Sequence, residues 1–355
     1  MVETTQFEVQ KVAQSHITQV DFDNLPFGRI FADHMLVAYY AQGQWQEVRI
    51  QPYSPLPIYP SLSALHYGQS IFEGMKAYRT VQDEIVIFRP YDNFERMNRS
   101  AERMCMPAIP EELFIGGILQ LVQLDQAWVS GKPGNSLYIR PFMFGADNAI
   151  GIRPSETYYF IIFCCPVSSY YSEPVKVKIE QHYVRAVEGG TGYAKTAGNY
   201  AASLYPAQLA QKQGYHQLIW TDGKEHKYIE ESGTMNVMFI IDEKLITASL
   251  GDTVLDGVTR KSVLHLAREW GYIVEERKVT VAEVVTALEN NTLQEAFGVG
   301  TAAVISPIQL IAYEGTDYPV PLPTEKSFSN RAKKYLDDLK RGRIADEYGW
   351  LLKVC

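Results

Sequence analysis

Lys195 is set apart from the other lysines of this sequence by its neighbours. It lies in Gly189-Gly190-Thr191-Gly192-Tyr193-Ala194-Lys195-Thr196-Ala197-Gly198-Asn199-Tyr200, with small residues on both sides. An amine that attacks a carbonyl and later shuttles a proton needs a depressed pKa and an open approach. The small neighbours supply the approach, so a Schiff-base lysine is one reading. A phosphate loop is a second, because Gly189 to Thr196 nearly satisfies G-x-x-x-x-G-K-[ST]. Ala194 stands where that motif has its second glycine, and its methyl obstructs the close backbone approach that phosphates need. Phe239-Ile240-Ile241-Asp242 would supply the magnesium-binding strand end of such a site. The plainest reading is a surface lysine in a flexible turn.

The first reading is strengthened only by partners. Pyridoxal phosphate asks for a lysine for its aldehyde, an acid for its pyridine nitrogen, a donor for its phenolic oxygen, and a phosphate cup. Glu231, in Glu231-Ser232-Gly233-Thr234-Met235-Asn236, lies between a polar turn and an apolar strand, where a carboxylate could point inward. Glu225 or Glu230 would serve equally by composition. Tyr200 is five residues beyond Lys195, about one and a half helical turns, so the two side chains could converge on one ligand. Gly257-Val258-Thr259 precedes a helix pattern, where free N–H groups and the positive dipole end meet. Gly298-Val299-Gly300-Thr301-Ala302 reads as a second small-residue turn, and Arg89 ends a strand where it could add a bidentate contact. Singly, each is a common turn, core or salt-bridge residue.

Composition bounds what else the chain does. Its 355 residues exceed what one core usually fills, so two domains are expected. The formal net charge of −8 argues against general nucleic-acid binding, and it requires any anion site to concentrate local positive groups. No apolar run approaches the roughly 18 residues of a membrane helix. Neither a secretory nor a transit signal is evident in Met1 to Asp23. The four cysteines (Cys105, Cys164, Cys165, Cys355) include no CxxC. A disulfide framework or a metal site is therefore not expected, and a reducing, cytoplasmic location is.

The elements that must hold these residues can be read from periodicity. Glu84 to Phe88 reads as a strand. From Asp92, a plausible N-cap, Phe94, Met97, Ala101 and Met104 recur at helical spacing. Tyr138 to Phe142 and Tyr158 to Cys165 are further strands. The turn formers of Pro166 to Pro174 place the interdomain connection there. A strand near Val175 to Ile179 follows, then a helix from about Asn199 to Lys212 and strands at Gln217 to Thr221 and Asn236 to Ile241. Thr259 is expected to cap a helix whose face is Val263, Leu264, Ala267 and Trp270 and which Gly271 ends. The class is α+β, a mixed αβ chain with no regular βαβ repeat. The domains expected are 1–167, a connecting loop over 168–178, and 179–355 carrying the lysine.

Taken together, these blocks resemble the branched-chain aminotransferases, fold type IV pyridoxal-phosphate enzymes, along nearly the whole chain. The matching blocks are Leu65 to Tyr78 (LHYGQSIFEGMKAY), Phe88-Arg89-Pro90, Tyr138-Ile139-Arg140-Pro141, Lys195 to Tyr200, Glu231 to Asn236, Gly257 to Arg260, and Gly298 to Ala302. The resemblance implies two αβ domains, the smaller first, with the cofactor at their interface and a partial lid near Ser168 to Pro174. It implies that Lys195 carries pyridoxal 5′-phosphate, that Glu231 holds the pyridine nitrogen, and that Tyr200 bonds the phenolic oxygen. Arg89, Val258, Thr259 and Thr301 would grip the phosphate. Tyr67, with Thr301 and Ala302, would receive the substrate carboxylate, Phe72 and Tyr138 would wall the apolar pocket, and Arg140 would take the distal carboxylate of glutamate.

The implied reaction is ping-pong transfer of an amino group from L-leucine, L-isoleucine or L-valine to 2-oxoglutarate. A homodimer or larger homo-oligomer is implied as well. The mammalian members' CxxC falls here on Ala303 and Ser306, so a thiol switch at that site is excluded. D-amino acid aminotransferase and aminodeoxychorismate lyase are the neighbouring alternatives, against which the FEGMKAY and YIRP blocks weigh. No role is assigned to the segment after Tyr318.

Overall fold

Two apolar runs, Tyr158–Val167 and Met235–Ile241, are interior strands of two separate sheets. The computed structural model describes residues 6–168, 173–302 and 304–354. By their contacts these fall into two units. One takes the described residues within 1–170 with Lys195–Ala197 and 337–354, and the other takes those within 171–194 and 198–336. Strands and helices mix in both, as the composition and periodicity predict.

The first unit is built on β1 (Glu8–Val9), β2 (His34–Ala41), β3 (Gln44–Pro52), β4 (Ser70–Phe72), β5 (Met75–Arg79), β6 (Ile85–Phe88), β7 (Ser136–Gly145) and β8 (Tyr158–Val167). The sheet order is β1-β3-β2-β8-β7-β5-β6, closed by the C-terminal strand Leu351–Val354, with β4 paired to β7. β7 and β8 pair without a break from Ser136↔Val167 to Gly145↔Tyr158. Helix α1 (Ser63–Tyr67) precedes β4, and helices α2 (Pro90–Arg103) and α3 (Gly117–Leu124) follow β6. Met97, Ala101, Ile118 and Leu121 share one core with Leu36, Ile139 and Phe160.

The start of α2 corrects the expected cap. Arg89, not Asp92, is the N-cap, in a left-handed conformation with φ of 48°. Pro90 opens the helix, where its fixed φ suits and its missing N–H costs nothing. Asp92 lies inside the first turn, and its carboxylate pairs with Arg89 at 2.8 Å, a favourable place for an acid near the positive helix end.

The second unit contains β9 (Val175–Ile179), β10 (Gln217–Thr221), β11 (Tyr228–Ser232), β12 (Met235–Ile241), β13 (Lys244–Thr247), β14 (Ile273–Glu276), β15 (Val279–Thr280), β16 (Leu293–Gly300), β17 (Val304–Tyr313) and β18 (Thr316–Pro319). Their order is β14-β13-β12-β16-β17-β9-β10-β11-β15, with β18 on β17. Helices α4 (Ala197–Lys212), α5 (Val258–Glu269) and α6 (Val281–Glu289) belong to the same stretch of chain. Helix α5 begins one residue before the expected cap: Gly257 is the N-cap and Thr259 is buried in the first turn. At its far end Gly271, with φ of 81°, ends the helix as the sequence predicts.

Two other boundaries differ from expectation. The connection expected over 168–178 is cut short by β9, whose Val175, Val177 and Ile179 are buried and extend the sheet. Residues 169–172, within the stretch Ser168 to Pro174 where the lid is expected, and Ala303 lie outside the described residues. The contacts also group the chain differently from a single cut. The first unit is the longer, and it takes Lys195, which is bonded to Ser100 and Phe72, and the last residues, whose strand pairs with β6. Among the described residues no helix is long and apolar enough to cross a membrane.

Candidate active site

Lys195 is held by its backbone. Its N–H donates to Ser100 Oγ at 2.9 Å, and its C=O accepts the Phe72 N–H at 3.1 Å. The next residue, Thr196, bridges Ile71. The half-buried side chain lies with Nζ 4.8 Å from the Phe72 ring centroid. Over that same ring, at 4.7 Å, sits the Arg140 guanidinium, which also lies 5.2 Å from the Tyr138 ring and donates to its hydroxyl at 3.0 Å. The buried Nε of Arg140 makes no hydrogen bond. Gly74 makes room for this arrangement, since a Cβ there would stand 2.0 Å from the Tyr138 hydroxyl. Phe72, Tyr138, Arg140 and Lys195 are thus brought together within the first unit.

Beneath them runs a buried charge network that the sequence reading missed. Glu73, fully buried, accepts from Arg96 at 2.7 and 2.8 Å and from Asn93 at 2.7 Å. Burial works against its ionisation, but the Arg96 guanidinium, helped by Lys195 and Asn93, outweighs it and holds the carboxyl below its ordinary value. The signal was present on α2: Asn93, Arg96 and Ser100 recur at helical spacing beside the apolar Met97 and Ala101.

The first unit's remaining two expected residues stand elsewhere in it. Tyr67 ends α1 and is 40% exposed. Arg89 is committed to Asp92 through two bonds and lies over the Trp350 ring.

The second unit gathers the acid and one phosphate-cup candidate. Glu231 is buried on β11, and its Oε1 accepts the Leu255 N–H at 2.7 Å. Asn236 spans the same gap, donating to Leu255 C=O at 2.9 Å and to Glu231 at 3.4 Å. A few residues on, α5 starts at Val258 with no side-chain cap on its free N–H groups. Gly257 is required there, because a Cβ would lie 2.1 Å from Asn236 Oδ1. Arg185, also missed from sequence, sits 3.3 Å from the Glu231 carboxylate and donates to the carbonyls of Gly192 and Thr253.

Glu230, equivalent to Glu231 by composition, is not equivalent in structure. Its Oε2 has no hydrogen bond, and burial pushes its pKa up. The small-residue segment at 298–302 is also refined. Gly298 and Gly300 lie in β16 where Met235 crosses them, and only Thr301 and Ala302 enter the turn. Tyr200 is half-buried in the first turn of α4.

The phosphate-loop reading fails on this geometry. A phosphate cradle needs outward-facing N–H groups. Here the N–H of Gly189 donates to Asp252, that of Gly190 to Val187 C=O, that of Tyr193 to Asp252 C=O and that of Ala194 to Thr191 C=O. The Asp252 carboxylate would also repel a phosphate. Among the described residues no group of three or more His, Cys, Asp or Glu could hold a metal ion.

Known proteins share this framework. The profile of amino-transferase class IV matches residues 70–311. The branched-chain-amino-acid aminotransferase 2 of Bacillus subtilis (strain 168) is 44% identical over 338 residues, covering 94% of this chain and 93% of its own. Branched-chain-amino-acid transaminase 1 of the same organism is 42% identical, covering 94% and 95%. Among solved structures, the branched-chain aminotransferase of the thermophilic archaeon Thermoproteus uzoniensis, with norvaline, aligns with a TM-score of 0.74 at 24% identity, over 91% of this chain and 100% of that one. The Escherichia coli branched-chain amino acid aminotransferase aligns with a TM-score of 0.73 at 24% identity, over 91% and 99%. At these identities the likeness is one of fold.

Proposed function

Because the chain belongs to the class IV aminotransferase family, we propose that it transfers the amino group of L-leucine, L-isoleucine or L-valine to 2-oxoglutarate, with pyridoxal 5′-phosphate as cofactor. The observation that carries this reading is Arg140. A guanidinium laid over the rings of Phe72 and Tyr138, with a buried Nε that has no partner, suits a pocket that takes two unlike side chains in turn. The rings offer an apolar wall to leucine, and the cation is available when a carboxylate replaces it.

The residues also fit the cofactor. The Glu231 carboxylate is buried among donors, Gly257 permits the tight turn before α5, and that helix begins with uncapped N–H groups. In this reading Lys195 and Glu231 hold the aldehyde and ring-nitrogen positions. Tyr200 bonds the phenolic oxygen, and Val258, Thr259 and Thr301 hold the phosphate. Arg89 joins the phosphate set only through a guanidinium already paired with Asp92. Tyr67, Thr301 and Ala302 receive the substrate carboxylate.

Pyridoxal phosphate, when bound, supplies an aldehyde for the substrate amine and a protonated ring that draws electron density from the α-carbon. The protein supplies the rest. Lys195 Nζ would take the α-proton of the amino acid and pass it to the carbon of the cofactor's aldehyde, a general base placed by its clamped backbone. Phe72 and Tyr138 exclude water from the side-chain end. Arg140 orients the distal carboxylate of 2-oxoglutarate in the second half of the ping-pong cycle. The chain's assembly as a homo-oligomer belongs to the same reading, as does a cytoplasmic location, supported by the free Cys105, Cys164 and Cys165.

The visible absorption spectrum tests the proposal. A yellow band that bleaches with L-leucine alone and returns with 2-oxoglutarate is expected. A band indifferent to leucine but bleached by D-alanine would move the function to the D-amino acid branch. No band after incubation with pyridoxal phosphate would end the proposal.

A further inference from the structure

Helix α2 presents a polar stripe to the interior of the first unit, and every member of it serves one short region. Asn93 donates to the Glu73 carboxylate and Arg96 pairs with it. Ser100, one turn further on, accepts the Lys195 N–H. The Ser100 hydroxyl is wholly buried and both its roles are used, because it donates to its own helix at Arg96 C=O, 2.9 Å away, while accepting from Lys195. Back-bonding of this kind fixes the direction of the hydroxyl oxygen. The other peptide group of Lys195 is fixed by Phe72. With N–H and C=O both pinned, the direction in which the lysine side chain leaves the backbone is set.

A serine kept only for packing would not be needed here. Alanine fits a buried helix face better, and the helix gains nothing from an acceptor aimed outward. From this we propose that Ser100 is a positioning residue for Lys195: its hydroxyl holds the lysine backbone so that Nζ is delivered over the Phe72 ring. The inference rests on the reading that Lys195 carries the cofactor. Its physical content is that an amine which must reach two reacting carbons in turn has to start from one place.

Ser100→Ala and Ser100→Thr, compared with the unchanged protein, make the test. In Ser100→Ala, amide hydrogen exchange at Lys195, followed without cofactor, is expected to rise at least about tenfold, as expected for a lost anchoring bond. The exchange of Met97 and Ala101 stays as it was. With cofactor, kcat falls about ten- to a hundredfold, the scale of misplaced reacting groups, while KM for leucine moves little. Threonine keeps a hydroxyl able to back-bond to the helix and restores both quantities.

Unchanged exchange at Lys195 in Ser100→Ala would overturn the proposal. So would faster exchange spread evenly along α2, which would make the serine a packing residue only. Should Ser100→Ala not fold, Ser100→Cys, with its weak sulfur acceptor, is read by the same two criteria. Borohydride reduction of the unchanged protein, followed by mass analysis of the Lys195 peptide, separates the two claims. If no cofactor is fixed there, the functional reading falls and the proposal with it. If cofactor is fixed there and the exchange is unmoved, only the role of Ser100 falls.

Discussion

The two units hold their chemistry-bearing residues by opposite means. In the first, two cations on long stems, Lys195 and Arg140, rest against the Phe72 ring above a buried ion pair. In the second, a carboxylate is held by a backbone N–H and a buried arginine, close to a helix start that offers more N–H groups. A cation on a ring face has a shallow, broad attraction and can leave it. A peptide donor moves only if the loop moves. The first arrangement suits groups that change partners during a reaction, and the second suits a grip that does not change. The first accordingly depends on side-chain charge, and the second on glycine and main chain with one buried arginine added.

The largest effect should come from removing the charge on which the first arrangement stands. Glu73→Gln leaves Arg96 buried without its counter-ion, which costs about 3–5 kcal/mol when one partner of a buried pair is removed. The sign with pH follows from the depressed carboxyl. Its stabilisation is present above the ordinary value of 4.5 and is lost as pH falls through the lower folded value. Chemical denaturation of the two proteins should differ most near neutral pH and converge in acid. A constant difference down to the acid limb would mean that the Glu73–Arg96 pair is not what holds this region.

Arg140→Ala comes next and attacks the exchange of partners itself. Loss of a charge-assisted contact, about 1.5–3 kcal/mol, should lower kcat/KM for 2-oxoglutarate roughly ten- to 150-fold. Leucine should change only a few-fold, through lost packing of the arginine stem. Equal losses for both substrates would remove Arg140 from its role.

Gly257→Ala makes the matching attack on the second unit. The new methyl meets Asn236 Oδ1, and that amide cannot turn away without releasing Leu255. Forcing atoms into such a contact costs about 1–3 kcal/mol. The loss is expected in cofactor retention, measured by dialysis and absorbance, with turnover at saturating cofactor little changed. Reduced turnover at unchanged affinity would show that the main-chain grip is not separate from the chemistry.

Much of this was legible in the sequence, and the exceptions have physical reasons. The long strands declared themselves because burial on both faces demands unbroken apolar runs, as in Tyr158–Val167. The inward placement of Glu231 was legible because an apolar strand flanks it. Helix starts were misread at Asp92 and Thr259, where a polar cap was expected. Arg89 with Pro90, and Gly257, begin those helices by backbone conformation instead. The Asn93, Arg96 and Ser100 stripe stands in the sequence at helical spacing but reads as a surface, because polar residues at that spacing ordinarily mark the solvent face. Arg185 and Glu231 are 46 positions apart, a separation at which no local pattern announces a pair. For the same reason nothing local foretold that Leu351–Val354 joins β6.

The smallest effect is the sharpest test of the second unit, because it turns on two adjacent carboxylates. Glu230 and Glu231 follow one another on β11, and both lie near Arg185. Glu231 receives the Leu255 N–H, whereas Glu230 keeps an oxygen with no partner and has its pKa raised by burial, against help from Thr253 and Arg185. A raised carboxyl binds protons more readily folded than unfolded, so stability falls as pH rises from about its ordinary value of 4.5 through the raised one. Glu230→Gln removes that penalty, since a neutral amide is easier to bury than an unpaired carboxylate. It should stabilise by up to about 1 kcal/mol at neutral pH, within the range of ordinary substitutions. The gain should vanish in acid, and turnover should be untouched. Glu231→Gln should do the reverse, because Arg185 loses its counter-ion and, on the proposed reading, the ring-nitrogen position loses its acid. Urea unfolding of both variants at about pH 4 and pH 8, either side of the carboxyl titration, with turnover measured alongside, gives opposite signs if Glu231 is the held carboxylate and Glu230 the surplus one. A shared sign would mean that the two carboxylates act as one pair around Arg185, and the separate role given to Glu231 would have to be divided between them.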